Sequence, residues 1–124
     1  MAVLTMLHDS NCLFCRIIAG EVPSRKVYED EEFFAFHDIH PAAPVHFLMV
    51  PKMHLRSLAH AEPVHAGLLG RMMVLAPRLA QEQGCGPYPD GGFRIVVNTG
   101  VEGGQEVDHL HVHVMGGPRP WRKG

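Results

Sequence analysis

The sequence predicts an α+β fold in which about five mainly antiparallel strands carry one main helix on a face. Three features point there. Strand-like stretches outnumber helical ones, their connections are mostly too short for parallel crossovers, and helical periodicity is sustained over only one long segment. No repeat, low-complexity tract or linker divides the 124 residues, so a single domain is expected over 1–124, with a loose leader at 1–10 and a tail at 117–124.

The elements follow in order. Asn11 is placed to cap a short helix over 12–19, which Gly20 ends at the position that favours a left-handed residue, with Pro23 just beyond. Lys26–Glu29 reads as a strand, the acidic pair Asp30 and Glu31 as a turn, and Phe33–Asp38 as a second strand. The rigid PAAP segment at 41–44 leads into His46–Val50, whose continuous apolar character suits a central strand covered on one face and ended by Pro51. Residues 63–83 form the long helix, with Pro63 in its first turn and an apolar stripe of Val64, Leu68, Met72, Leu75 and Leu79; Pro77 should kink it. The loop 84–92 precedes a strand over Phe93–Asn98, a glycine-rich turn at 100–104 and a last strand over His109–Met115.

Hydrophobic residues make up 46% of the chain and charged residues 19%, which suits a packed core rather than a disordered chain. A net charge of −2 with no basic cluster argues against a nucleic-acid partner, which would demand many Lys and Arg contacts to phosphate. A mononucleotide demands far less. No apolar run is long enough to span a bilayer, and the first ten residues lack the pattern of a signal peptide. With three cysteines, an odd number, the expectation is reduced thiols in a cytoplasmic protein.

Histidine is the unusual residue, with ten in the chain. In the segment His109-Leu110-His111-Val112-His113-Val114-Met115, alternation places all three histidines on one face of the strand and Leu110, Val112 and Val114 on the other. The apolar face should pack beneath the helix stripe and present the imidazole row outward. Three readings compete: a half-exposed polar face, a metal site, and nucleophilic catalysis by a neutral imidazole whose second nitrogen is held by a carbonyl. Gly100, Gly103 and Gly104 just upstream could bring backbone N–H groups close to a phosphate, and Asn98 could donate to a phosphate or ribose oxygen. Taken alone such glycines are ordinary turn residues, but beside three aligned imidazoles they favour a phosphate cradle. Separately, Cys12 and Cys15 form a CxxC pair, open to reading as a redox pair, two small buried residues or half of a zinc site.

The triad segment matches the signature His-φ-His-φ-His-φ-φ, with φ apolar, and so resembles the histidine-triad family. The likeness extends to CLFCRIIAGEVPS, FHDIHPAAPVHFLMVPKMH, IVVNTGVEGGQEV and the Gly116-Gly117 pair, and it is closer to the Hint branch than to the branch that prefers diadenosine polyphosphates. The resemblance implies a homodimer whose sheets join into ten strands, a purine nucleotide pocket, and a nucleoside phosphoramidase acting through a nucleotidyl-histidine without obligatory Mg²⁺. By the same resemblance His111 is the nucleophile, and His113 and His46 attend the phosphate. Asp38 meets the ribose, while Phe14, Ile17, Val22, Phe36 and Ile39 wall the base. Asn98, Gly104 and Val107 contact phosphate, and Trp121 reaches towards the partner subunit's site. The implied zinc ligands are Cys12, Cys15, His54 and His109. Diadenosine polyphosphate hydrolysis, or nucleotide binding with negligible turnover, are the alternatives. Two residues depart from the family pattern. Glu106 stands where animal Hint proteins carry serine, so altered leaving-group handling is expected, and Asp108 replaces an aromatic residue.

Overall fold

In a computed structural model, residues 9–121 are described, so His8 and most of the expected leader, with the last three residues of the tail, lie outside the described residues. A six-residue helix α1 (Leu13–Ile18) is followed by strands β1 (Lys26–Glu29), β2 (Phe33–His37) and β3 (Val45–Pro51). The main helix α2 (Ala66–Glu82) comes next, then β4 (Phe93–Val96) and β5 (Val112–Gly116). The five strands form one sheet in the order β1-β2-β3-β5-β4, and every neighbouring pair is antiparallel. The expected α+β architecture holds.

Alternation sorts the side chains of the central strands onto two faces. Phe33 and Ala35 of β2, Phe47 and Met49 of β3, and Val112 and Val114 of β5 join Leu110 under α2, where Leu68, Met72, Ala76, Leu79 and Ala80 close the core. Burying one such aliphatic or aromatic side chain contributes about 1.5–3 kcal/mol, so a slip of β5 by one residue would be strongly disfavoured. The other face carries Phe34, Phe36, Leu48 and Val50, covered by Phe14, Cys15 and Ile17 of α1. Strand β3 is therefore covered on both faces, not one, and His46 through Pro51 are all buried. Its continuous apolar run is what a strand covered on both faces needs.

Several boundaries differ from the sequence reading, each for a local reason. Cys12, not Asn11, caps α1, its Sγ accepting the Cys15 N–H at 3.3 Å. Gly20 follows the C-cap with φ +81°, a left-handed conformation that glycine adopts without strain. The long helix begins at Ala66, because Pro63–His65 form a 3₁₀ turn with a different angular step. Val64 consequently leaves the stripe and is exposed. Pro77 sits inside α2, which continues through it to Glu82. Pro51 pairs with Phe33 as the last residue of β3.

The largest revision concerns the triad segment. Ladder pairing of β5 starts only at Val112. The N–H groups of His109 and Leu110 are spent elsewhere, on Val107 O at 2.9 Å and Leu55 O at 2.6 Å. Two-sided alternation still runs through the whole segment, with Leu110, Val112 and Val114 in the core beneath α2. The imidazole row, however, does not face solvent. His109 is completely buried and His111 nearly so, beneath α1, while His113 is half-buried.

Candidate active site

Two groups of imidazoles flank His111. On one side, Cys12 and Cys15 from the start of α1 meet His54, beyond β3, and His109, ahead of β5. Their ligand atoms all lie within 4.8 Å of one another. His109 Nδ1 is 3.3 Å from Cys12 Sγ, 3.6 Å from Cys15 Sγ and 3.1 Å from His54 Nδ1, and Cys15 Sγ is 3.4 Å from His54 Nδ1. The opposite nitrogen of His109, Nε2, is 2.8 Å from Pro51 O. A carbonyl can only accept, so Nε2 carries the proton and the Nδ1 lone pair points into the cluster.

Two sulfurs and two imidazole nitrogens thus converge on one point. Tetrahedral Zn²⁺ with Zn–S of about 2.3 Å and Zn–N of about 2.0–2.1 Å sets its ligand atoms roughly 3.3–3.8 Å apart. The three sulfur–nitrogen separations, 3.3–3.6 Å, fall within that range, and the nitrogen–nitrogen separation of 3.1 Å lies just below it. The Asp9 carboxylate lies 4.0 Å from His54 Nε2, where it favours the proton on that nitrogen and leaves Nδ1 as the donor. The residues fit a structural zinc ion. Without a cation, burial pushes the Cys15 thiol up to about 11 and the His109 imidazole down to about 4, the latter despite its bond to Pro51. His109 is therefore neutral at pH 7, the form that binds a metal.

On the other side, β3 and β5 bring His46 and His113 together. The Ala42 N–H donates to His46 Nδ1 at 2.9 Å, so a neutral His46 carries its proton on Nε2. That nitrogen lies 3.0 Å from His113 Nδ1 and 3.4 Å from Asp38 Oδ2. His46 Nε2–H donates to His113 Nδ1, which leaves the His113 proton on Nε2. Burial, aided by the neighbouring His111 and His46, pushes the His113 imidazole down to about 4, against the opposing pull of Asp38. His113 is thus a neutral donor near pH 7.

His111 lies between the two groups. Its Nδ1–H donates to the carbonyl of His109 at 2.7 Å, so a neutral His111 carries its lone pair on Nε2. Its ring centroid is 5.2 Å from that of His113 and 5.0 Å from that of Phe14, the latter edge-on. The carbonyl expected from the sequence to hold this ring is that of His109. The ring is buried under α1 rather than under α2.

The other expected site residues divide. Phe14, Ile17 and Phe36 are buried in one apolar cluster, and Val22 and Val107 pack against it. Ile39 is 85% exposed and outside that cluster. Asn98 Nδ2 donates to Gly103 O at 2.8 Å, which pins the glycine turn. At Gly103 a Cβ would collide with Thr99 O, so only glycine closes that turn. Trp121 folds back over Arg94 of β4, with Arg119 on its ring and its indole N–H on Gly117 O. Asp108 is exposed and 3.7 Å from Arg56. Sequence reasoning missed Ala42, Pro51 and Asp9, two of which act through backbone atoms. The PAAP segment, which sets Ala42 four residues before His46, was the one available signal for it.

A family model described as "Scavenger mRNA decapping enzyme C-term binding" matches residues 11–123. Protein HitA of Neisseria gonorrhoeae is 53% identical over 108 residues, covering 87% of this chain and 97% of that protein. Adenylylsulfatase HINT1 of Arabidopsis thaliana is 44% identical over 111 residues, covering 88% and 73%. The HIT family hydrolase from Legionella pneumophila Philadelphia 1 superposes with a TM-score of 0.82 at 41% identity, covering 88% of this chain and 95% of that one.

The chain is a Hint-like member of the histidine-triad family. Within this histidine-triad chain the signature histidines serve different environments: His109 faces the thiols, His111 its own backbone, and His113 the His46–Asp38 pair. A relative named "14 kDa zinc-binding protein" from Zea mays is 44% identical over 118 residues, covering 94% of this chain and 89% of that protein.

Proposed function

We propose that this protein is a nucleotide-binding hydrolase that cleaves the P–N bond of nucleoside phosphoramidates, such as AMP-amine or adenylate-lysine adducts. The observation that carries the reading is the His111 Nδ1–H bond to the His109 carbonyl, which places the lone pair of the neutral ring on Nε2. The names of relatives support it: one is a HIT family hydrolase and another an adenylylsulfatase.

In this mechanism the Nε2 lone pair of His111 attacks the α-phosphorus. A P–N bond to His111 forms, the P–N bond to the amine breaks with its electron pair going to the amine, and the amine takes up a proton from solvent. Water then adds to phosphorus, the P–Nε2 electron pair returns to His111, and a proton leaves with release of the nucleotide. The transition state spreads charge over the non-bridging oxygens, so aligned donors matter more than covalent chemistry. His113 supplies one through Nε2–H, a proton placed there by the chain Ala42–His46–His113. Phe14, Ile17, Val22 and Phe36 provide an apolar side for the base, and Asp38 accepts from the ribose. Cys12, Cys15, His54 and His109 would hold a zinc ion, whose part would be structural: to fix α1 against the triad segment. The unpaired edge of β4 is where a second copy would extend the sheet to ten strands.

Incubation with an AMP-amine adduct tests the reading. AMP release should fall by about 10³-fold or more in His111→Ala, as for other nucleophiles removed from a positioned site. Tight AMP binding without release by the unaltered protein would replace the enzyme with a nucleotide-binding scaffold. Faster cleavage of a diadenosine polyphosphate than of the amine adduct would reassign the substrate.

A further inference from the structure

Helix α1 has only six residues, too few to hold a helix by itself in water. It is held by what it buries: Phe14 and Ile17 against Phe34, Phe36, Leu48 and Val50, and its two cysteine thiols against His54 and His109. His109 stands at the junction of two arrangements. Its ring faces both thiols, while its carbonyl holds the His111 ring. Phe14, the residue between the two cysteines that is buried deepest over the triad, packs edge-on against His109 at 6.0 Å and against His111 at 5.0 Å. The metal-ligand set and the nucleophile therefore share one backbone carbonyl and one aromatic ring.

We propose that metal occupancy of the Cys12–Cys15–His54–His109 cluster and nucleotide occupancy of the adjoining pocket are thermodynamically coupled through His109 and α1, so that each ligand strengthens binding of the other. This rests on the nucleotide-pocket reading given above. Binding of the ion fixes α1 across the sheet and with it Phe14, which forms one side of the pocket. A pocket already ordered costs a nucleotide less to enter. Coupling free energies are reciprocal, so the factor by which zinc raises nucleotide affinity must equal the factor by which nucleotide raises zinc affinity. A metal serving only global stability would leave both factors at one for as long as the stripped chain stays folded.

The test uses the full chain in three forms: zinc-loaded, stripped with a chelator, and reloaded with Zn²⁺. AMP affinity is measured by calorimetry, and zinc affinity by competition with a chromophoric chelator with and without AMP. Amide hydrogen exchange is followed at residues 13–18. Stripping should weaken AMP binding about tenfold, AMP should tighten zinc by the same factor, and exchange at 13–18 should quicken and then recover on reloading. Phe14→Ala, which keeps all four donors, should retain zinc while its coupling factor falls towards one; this arm guards against a stripped chain that simply unfolds. Equal AMP affinity with and without zinc would by itself overturn the proposal, whatever the exchange at 13–18. Failure of both metal states to bind AMP would remove the nucleotide reading instead. In that case exchange at 13–18 alone decides whether zinc fixes α1, and protection indifferent to zinc sinks that as well.

Discussion

The two imidazole clusters on either side of His111 are built from the same side chain and do opposite things with it. In the first, His109 donates Nε2–H outward to Pro51, so its Nδ1 lone pair points inward at two thiols and a second imidazole. In the second, the Ala42 N–H occupies Nδ1 of His46, so protons run in series towards His113. Asp38, His46 and His113 also bring three ligand atoms within 4.8 Å of one another. While the Ala42 bond stands, however, the Nε2 of a neutral His46 holds a proton and has no lone pair for an ion. A single backbone group behind each ring, more than its side-chain neighbours, separates a ligand set from a proton-ordering set.

That contrast can be broken most severely from the proton-ordering side. His46→Ala removes the donor that sets the His113 tautomer, and turnover should fall by about 10²–10⁴-fold while zinc content stays at the unaltered level. Zinc loss in that variant would show that the clusters are not separate. His54→Ala strikes the other cluster: zinc affinity, read by chelator competition, should drop about 10²-fold or more, with far less effect on the chemical step. Acid offers a finer probe. His113 is pushed down to about 4 from an ordinary value of 6.5, so below pH 6.5 the unfolded chain takes up a proton that the native site refuses. Its contribution to stability is intact above 6.5 and falls by about 1.4 kcal/mol per pH unit between 6.5 and about 4, then levels off. Denaturant midpoints across that range should show this slope diminished in His113→Asn. The smallest change is expected from Asp9→Asn, which lies 4.0 Å behind His54 and should weaken zinc no more than about tenfold.

Much of this arrangement was legible in the chain. Period-two alternation from His109 to Met115 separates core from site because apolar and imidazole residues never share a face. The spacing of Leu68, Met72 and Leu79 marks the buried side of α2 for the same geometric reason. What covers the imidazole face was not legible. The cover is a six-residue helix about ninety residues away in sequence, and nothing local to the triad encodes that contact. Val64 was misplaced because a 3₁₀ turn shifts the phase of the apolar pattern before the helix starts. The CxxC pair announced half of a metal site, whereas its partners came from family likeness and not from spacing. Backbone partners such as Ala42 and Pro51 leave almost no trace in residue identity, since any residue but proline offers an N–H and every residue offers a carbonyl.

Trp121 is the sole tryptophan of the chain, with the guanidinium groups of Arg94 and Arg119 at 5.0 and 4.7 Å from its ring centroid and its indole N–H donating to Gly117 O. Its emission therefore samples the anchoring of the C-terminal segment on the outermost strand. An optical melt followed at that wavelength would record detachment of this segment, while the collapse of the phenylalanine-rich interior could pass unseen.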